Sequence, residues 1–304
     1  MTGARILVIK LGALGDFVLA TGPFAAIRQH HADAEITLLT TPPFAAMARQ
    51  TGFFDHVWDF GRPQKARLRG YLKLYTHLRK ARFDRVYDLQ TSDRSSFYRH
   101  FTGKVEWSGI ARGCSHPHRN PDRDSMHTLD RQAEQLRDAG IMSTPPPDLD
   151  WAAADIGRYN LPESYALLVP GGSAHRPAKR WPAANYGRLA QALWKQGILP
   201  VVLGAGAEQA LADQIEEVCP DAVSFVDRTD FTDIICLARD ARLAIGNDTG
   251  PMHLAAAAGC PSLVLFSAES APALCAPRGQ NVTILQQNDL ANLSIDIVFA
   301  QLNL

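Results

Sequence analysis

Short apolar runs alternate with helical repeats of apolar positions along the whole first half of this chain. Each apolar run has the length and the flanking turn residues of a buried strand, and the repeats between the runs have the spacing of amphipathic helices. The predicted strands are 5–10, 35–39, 56–59 and 83–89, and the predicted helices include 17–27, 44–50 and a segment within 61–82. Strands that alternate with helices predict a parallel sheet covered by helices on both faces.

The second half repeats this order after a proline-rich stretch at 143–147, which we interpret as a linker. Predicted strands lie at 165–169, 199–203, 223–226, 242–245 and 262–266, with helices at 182–195, about 209–219, 231–238 and from about 251, and a last helix at 293–304. The fold class is therefore α/β, with two Rossmann-like domains at 1–147 and 148–304.

Three turns in the second half follow predicted strands, so they are expected at the carboxyl edge of one sheet. They are Gly171 to Ser173 with Lys179 nearby, Gly204 to Glu208, and Asn247 to Pro251. Backbone amides, a helix N-terminus and Lys179 can bind a diphosphate there, and Glu208 can bind ribose hydroxyls. This pattern predicts a nucleotide-sugar site.

Simpler interpretations of the same residues remain open. Lys179 can be an exposed loop charge, and Glu208 can be a carboxylate at a helix N-terminus. Asp248 or Thr249 can cap the helix that follows, and Gly250 can relieve a tight turn.

Length and composition fit a globular protein with two domains. The chain has 304 residues, 46% of them hydrophobic, which is enough for a large core. No apolar run approaches the roughly 18 residues of a membrane span, and 5–10 leads into a strand pattern instead of a signal peptide, so we expect a cytosolic protein. The five cysteines are odd in number and widely spaced, as expected of reduced thiols.

Charge is distributed unevenly, although the formal net charge is zero. Residues 1–150 hold 21 Lys/Arg against 16 Asp/Glu, and the segment 61–82 holds eight Lys/Arg and no acid. The basic residues of this segment are Arg62, Lys65, Arg67, Arg69, Lys73, Arg79, Lys80 and Arg82, with Leu68, Tyr71, Leu72, Tyr75 and Leu78 at helical spacing between them. A basic amphipathic helix suits an anionic membrane surface or an acidic substrate, or is simply a solvated face. We expect no nucleic acid partner, because no recognised nucleic-acid module accompanies it.

Several other chemistries are disfavoured by the motifs. The turn from Gly204 reads Gly-Ala-Gly-Ala-Glu-Gln, which departs from G-x-G-x-x-G, and the turn 11–16 has no Walker lysine and serine, so we expect no cofactor. Cys114, His116 and His118 have no fourth partner nearby, so we expect no metal site in the loop 108–125.

Four motifs together resemble the ADP-heptose:lipopolysaccharide heptosyltransferase family, glycosyltransferase family 9. They are Asp16 in its glycine turn, PGGSAHRPAKRWP from Pro170, LGAGAE from Leu203 and NDTGPMHLAAAAGCP from Asn247. The resemblance extends over nearly the whole chain and is weakest between 94 and 147. The chain departs from the family after the strand 262–266, where Ser-Ala-Glu-Ser-Ala-Pro replaces a Gly-Pro-Thr-like turn.

The resemblance implies the GT-B fold, with two domains facing across a cleft. It implies an inverting, metal-independent transfer of heptose from ADP-heptose, bound by the C-terminal domain, to the lipopolysaccharide inner core, bound by the N-terminal domain. Asp16 is then the expected general base. The expected donor-binding residues are Gly171, Ser173, Lys179, Glu208, Asp248, Thr249, Gly250 and His253. The basic residues Arg62, Lys65, Arg67, Arg69 and Lys73 are expected to meet the acceptor or an anionic membrane, which would place the protein peripherally at the cytoplasmic face of the inner membrane.

Other functions remain open on this sequence. Asp16 can be a helix N-cap. The same architecture suits a nucleotide-sugar epimerase, or a non-catalytic protein that binds a sugar nucleotide or a polysaccharide. The departure after 262–266 leaves the base and the sugar of the donor open.

Overall fold

The computed structural model describes residues 3–64, 68–172 and 176–302. The chain divides into two compact units, Met1–Trp151 and Ala152–Leu304, whereas the predicted boundary lies between 147 and 148. We call them the N-terminal unit and the C-terminal unit and describe each by itself.

The N-terminal unit alternates strands and helices from its first strand onward. Its elements are β1 (Arg5–Ile9), α1 (Leu14–Leu19), α2 (Thr21–His30), β2 (Glu35–Leu39), α3 (Pro42–Gln50), β3 (His56–Trp58), α4 (Leu68–Ala81), β4 (Arg85–Asp88), α5 (Asp93–Phe97), α6 (Arg99–Thr102), β5 (Glu106–Gly109), β6 (His116–Pro117) and α7 (Thr128–Asp138).

All strand pairs of this unit are parallel, in the order β3-β2-β1-β4-β5-β6. The central strand β1 is buried on both faces from Ile6 to Ile9, as expected where helices cover both sides of a parallel sheet. On one face, Leu74, Leu78 and Ala81 of α4 pack into the core. These buried positions follow helical spacing, so one face of α4 is left toward solvent.

The C-terminal unit repeats the alternation. Its elements are β7 (Tyr165–Val169), α8 (Ala183–Lys195), β8 (Leu199–Val202), α9 (Gln209–Val218), β9 (Val223–Ser224), α10 (Phe231–Asp240), β10 (Leu243–Asn247), α11 (Gly250–Ala257), β11 (Ser262–Phe266), α12 (Pro272–Cys275), β12 (Val282–Gln286) and α13 (Ile295–Ala300).

The second sheet is also parallel and has the order β12-β11-β10-β7-β8-β9. In both sheets the first strand lies between the second and the fourth strand of its unit, which is the doubly wound Rossmann order. The chain therefore leaves β7 toward β8 on one side and returns to β10 on the other. Ligands of such sheets bind where this reversal opens a crevice at the carboxyl edge, here beyond β7 and β10.

Among the residues described, no helix has both the length and the apolar character needed to cross a bilayer.

Candidate functional site

The buried amide of Asn247 joins the segments that surround the carboxyl ends of β7 and β10. Its Nδ2 donates to the carbonyl oxygens of Pro170 (2.9 Å) and Gly171 (3.1 Å). Its Oδ1 accepts from the backbone amide of Trp181 (3.0 Å) and from the hydroxyl of Tyr186 (3.1 Å). Asn247 is fully buried, and these four hydrogen bonds satisfy its amide. The turn after β7 is thereby fixed beside the turn after β10.

Lys179 and Asp248 form an ion pair at this edge. Lys179 Nζ donates to Asp248 Oδ2 over 2.8 Å, and the two side chains are only 13% and 9% exposed. The hydroxyl of Ser270, in the turn after β11, donates to the same oxygen over 2.6 Å. Lys179 is therefore not the exposed loop charge of the simpler interpretation, because it is largely buried against a carboxylate.

The turn after β10 ends at the N-terminus of α11, whose first residue is Gly250. Thr249 is the N-cap residue, but within the described chain its side chain makes no capping hydrogen bond. Thr249 therefore occupies the N-cap position of α11, as the simpler interpretation has it, but without a side-chain capping bond among the described residues. Asp248 is not the N-cap residue, and its carboxylate pairs with Lys179 and Ser270 instead.

The N-terminus of α11 brings the amide of Gly250 and the positive end of the helix dipole to the carboxyl edge, an arrangement that favours anions. Pro251 has no N–H, and the amide of Met252 donates to Thr249 O over 3.1 Å.

Glu208 lies against the two glycine turns. A Cβ at Gly171 would lie 2.9 Å from Glu208 Cγ, and a Cβ at Gly204 would lie 2.9 Å from Glu208 Cβ. One carboxylate oxygen of Glu208, Oε2, accepts from the backbone amide of Ala205 over 3.0 Å. Ala205 is an N-cap residue, so Glu208 does act as a carboxylate at a helix N-terminus, as the simpler interpretation has it. The close contact with Gly171 brings the turns after β7 and β8 together.

His253 lies in α11 and is 6% exposed, so it belongs to the layer beneath this edge. Ser173 lies outside the described residues. The remaining donor-binding candidates, on the turns after β7, β8 and β10 and on α11, all belong to the edge around these three strands.

Asp16 lies at the corresponding edge of the N-terminal sheet, in the first turn of α1 after β1. The N-cap of α1 is Ala13, so the interpretation of Asp16 as the N-cap is wrong. The turn that carries Asp16 is held to the end of β4, because Lys10 Nζ donates to Leu89 O (3.2 Å) and Leu11 N donates to Gln90 Oε1 (2.7 Å). Asp16 is half-buried and keeps partial access to solvent.

Two buried charges lie beneath the Asp16 turn. Burial lowers the pKa of the Lys10 ammonium, and the carboxylates of Asp16 and Asp88 act against that shift. Burial also raises the pKa of Asp88 to about 6, although the backbone amides of Gln90 and Thr91 donate to its Oδ1. Asp16 therefore lies near a buried ammonium and a buried carboxylate, whose opposite charges offset part of the cost of burial.

The basic candidates lie on and beside α4. Arg62, Arg69 and Lys73 are exposed, and Lys73 Nζ lies 4.2 Å from the centre of the Phe60 ring. Lys65 and Arg67 lie outside the described residues. The same helix exposes Leu68, Leu72 and Tyr75.

The loop 108–125 contains the short strand β6, and His118 within it is fixed to neighbouring side chains. Arg123 Nε donates to His118 Nδ1 over 3.1 Å, and His118 Nε2 lies 3.5 Å from Glu134 Oε1. In the part of the chain that the structure describes, no three His, Cys, Asp or Glu side chains are placed to hold one metal ion.

Sequence patterns alone did not single out Asn247 or Ser270. Asn247 stands in the predicted turn motif, but its role depends on partners far away in sequence. Ser270 stands in the segment noted as a departure from the family, and this was the available signal that the turn differs.

Comparison with known proteins places these features in a family. The model of glycosyltransferase family 9 (heptosyltransferase) matches residues 71–295. Lipopolysaccharide heptosyltransferase 2 of Escherichia coli is 24% identical over 294 residues, which cover 88% of this chain and 83% of that protein. Lipooligosaccharide heptosyltransferase 2 of Haemophilus influenzae is 28% identical over 120 residues, which cover 38% of this chain and 34% of that protein. The chain thus spans about a third of the length of that relative.

The structure of E. coli ADP-heptose lipopolysaccharide heptosyltransferase II matches 98% of this chain and 97% of its own, with a TM-score of 0.81 and 21% identity. At that identity the match shows a common fold, and it confirms the predicted α/β class of the GT-B type. The family model covers well over half of the sequence. The chain therefore belongs to glycosyltransferase family 9, the heptosyltransferase family, as its motifs predicted.

Proposed function

We propose that the protein is an inverting, metal-independent heptosyltransferase that moves heptose from ADP-heptose to the inner core of lipopolysaccharide. The observation that carries this proposal is the Lys179–Asp248 pair beside the N-terminus of α11, at the point where the strand order of the C-terminal sheet reverses. Family membership supports the reaction type, and the ADP-heptose named for the E. coli structure supports the donor.

The donor side of the reaction is assigned to the C-terminal unit. Lys179 and the amide of Gly250 bind the diphosphate, and Asp248 and Thr249 position the diphosphate and the sugar. Glu208 accepts hydrogen bonds from ribose hydroxyls. Gly171 leads the backbone close to the phosphates, and His253 supports the turn from within α11. Ser173 is assigned to the donor on its motif alone.

The acceptor side is assigned to the N-terminal unit, with Asp16 as the general base. The acceptor hydroxyl attacks the anomeric carbon of heptose, Asp16 takes the hydroxyl proton, and the bond from that carbon to the diphosphate oxygen breaks. ADP departs with the electron pair of the broken bond, and the configuration of the anomeric carbon inverts. Lys179 and the helix dipole stabilise the charge that develops on the diphosphate.

The basic helix α4 is assigned to an anionic membrane surface, which would hold the enzyme peripherally at the cytoplasmic face of the inner membrane. Leu68, Leu72 and Tyr75 are 82%, 61% and 43% exposed and form one stripe of α4. Arg69, Lys73 and Lys80 form the neighbouring stripe. An apolar stripe beside a cationic stripe is typical of helices that lie in the membrane interface. The acceptor, a lipid-linked core sugar, is found at such a surface.

The central test compares Asp16→Asn with Asp16→Ala. Neither variant can accept the proton, so heptose transfer should fall by roughly 10²–10⁴-fold while ADP binding stays near the wild-type value. Since Ala13 is the N-cap of α1, neither variant loses a capping bond, and the loss of the attraction between Asp16 and Lys10 should lower the melting temperature equally in both. Asp130 occupies the same position in the first turn of α7, and Asp130→Asn is the matched control, with turnover unchanged.

An active Asp16→Asn enzyme would remove Asp16 from the catalytic role. Conversion of the donor sugar without any acceptor would instead identify an epimerase. Binding of the donor with no turnover of any kind would identify a binding protein.

A further inference from the structure

The turn after β11 has an ordered structure of its own. Ser267 is 2% exposed, and its hydroxyl accepts from the backbone amide of Glu269 over 3.2 Å. The amide of Ser270 donates to the carbonyl oxygen of Ser267 over 3.3 Å, which closes the turn. The backbone thus places the side chain of Ser270 at the carboxyl edge of the sheet.

This turn contacts Asp248 and also the chain segment that carries Lys179. Ser270 Oγ donates to Asp248 Oδ2 over 2.6 Å, the oxygen that also accepts from Lys179 over 2.8 Å. Arg176, three residues before Lys179 in the chain, donates from Nη1 to the carbonyl oxygen of Glu269 over 3.5 Å. One carboxylate oxygen therefore has two donors, one cationic and one neutral.

We propose that Ser270 is a positioning residue that makes Lys179 available to the diphosphate of the donor. The inference rests on the proposed function, because it takes the diphosphate as the group that Lys179 binds. When Lys179 turns toward a phosphate, Asp248 loses a cationic donor while its side chain is 9% exposed. A largely buried carboxylate without a donor is costly. The hydroxyl of Ser270 keeps that oxygen hydrogen-bonded, so the movement of Lys179 costs less.

A purely structural role of Ser270 would give a different result. If the hydroxyl only held the turn after β11 in place, its loss would act whether or not Lys179 is present. If Ser270 acts through Lys179, its loss should matter little once Lys179 is gone. The two roles are therefore separated by combining the two substitutions.

The experiment measures the Kd of ADP by calorimetry and the KM and kcat for ADP-heptose in the full-length enzyme. Ser270→Ala should raise the Kd of ADP and the KM about tenfold, with kcat at saturating donor within about twofold of wild type. Ser270→Thr keeps the hydroxyl and should restore both values. Lys179→Ala should weaken ADP binding at least as much, and adding Ser270→Ala to it should change the Kd by less than about twofold.

Ser294→Ala is the matched control, because this serine of the same unit accepts from the backbone amide of Ile297 at the start of α13. It should leave the Kd and the KM at wild-type values. Unchanged ADP binding in Ser270→Ala, or a full additional loss in the double variant, would overturn the inference. Failure of the wild-type enzyme to bind ADP would overturn the proposed donor, and this inference with it.

Discussion

At the scale of single residues, two largely buried carboxylates, one in each unit, differ in how many hydrogen bonds their oxygens accept. Asp248 has two side-chain donors on one oxygen. Asp88 is fully buried, and among the described residues its Oδ2 has no hydrogen-bond partner, while its Oδ1 accepts from two backbone amides. A half-satisfied carboxylate in a buried position responds to pH, because protonation removes the cost of its charge.

The raised pKa of Asp88 predicts a pH dependence of stability. Its pKa is about 6 in the folded protein against an ordinary value of 3.8, so between these values the folded protein holds a proton that the unfolded chain releases. The contribution of this group to the free energy of unfolding therefore falls as pH rises from about 4 to 6, by up to about 3 kcal/mol, and is constant above.

Chemical unfolding of wild type and Asp88→Asn at several pH values between 4 and 7.5 checks this expectation. The free energy of unfolding of Asp88→Asn should rise relative to that of wild type as pH rises to 6. Any effect of the amide itself is independent of pH and shifts the whole curve of the variant by a constant. Asp33→Asn, at an exposed carboxylate of the same unit, should follow the wild-type curve in parallel. A parallel curve for Asp88→Asn as well would contradict the prediction.

At the scale of elements, α4 combines three faces in one helix. Leu74, Leu78 and Ala81 are buried, the stripe with Leu68 and Leu72 is apolar and exposed, and the basic stripe lies beyond it. The helix therefore has more apolar surface than the core of its own unit covers, and the exposed part adjoins cations. This arrangement supports the assignment to a membrane interface.

Charge reversal on α4 tests that assignment. Arg69→Glu with Lys73→Glu should weaken binding to vesicles of anionic phospholipid about 30-fold or more, since each cation contributes about 1 kcal/mol near such a surface. Binding of ADP should not change. Arg188→Glu with Lys195→Glu on α8 gives the same change of net charge in the C-terminal unit and serves as the control.

Sedimentation with vesicles at low and moderate salt measures the effect. If both double variants bind vesicles equally, or if salt does not change the binding, the basic residues of α4 form only a solvent-exposed face.

The sequence predicted the buried elements well and the marginal ones poorly. The strands at 35–39, 165–169 and 262–266 have the bounds of β2, β7 and β11, because continuous apolar runs between turn residues define them. The two-residue strand β6 lies within the predicted loop 108–125, since its assignment depends on hydrogen bonds to β5 such as that from His118 N to Gly109 O. The break between α1 and α2 at Ala20 was missed because the apolar spacing continues across it.

The candidate site divides in the same way. Motifs predicted the turns that carry Lys179, Glu208 and Asp248, because a turn after a parallel strand has a fixed place at the sheet edge. The partner of Lys179 and the four hydrogen bonds of Asn247 were not predicted, since they join residues about 60 to 80 positions apart. Side-chain pairing over such separations depends on strand order and register, which periodicity does not contain.

At the scale of the whole molecule, each unit has a complete sheet and its own buried cluster. The cluster in the C-terminal unit extends from Ala166 to Val298, and one cluster in the N-terminal unit extends from Leu7 to Cys114. Every described donor-binding candidate belongs to the C-terminal unit. The two units therefore meet the requirements for folding separately.

The C-terminal unit alone, residues 152–304, should fold and bind ADP within about threefold of the full-length Kd. Circular dichroism with thermal melting checks folding, and calorimetry checks binding, with Lys179→Ala in the same fragment as the control. A fragment that folds but does not bind ADP would contradict the assignment of the donor site to this unit.

The strand order of the C-terminal sheet also governs when the proposed donor site can form during synthesis of the protein. The centre of the sheet pairs β7 with β10, and Asn247 reaches back 77 residues to Pro170. When a nascent chain has emerged only as far as α10, β7 can pair with β8, and β8 with β9, but the other edge of β7 has no strand to pair with. The N-terminal unit can fold on the ribosome well before this point. The proposed donor site, in contrast, is completed only after β11 and Ser270 have emerged. On the proposed assignment, a prematurely terminated chain therefore has the acceptor-binding unit but cannot bind nucleotide.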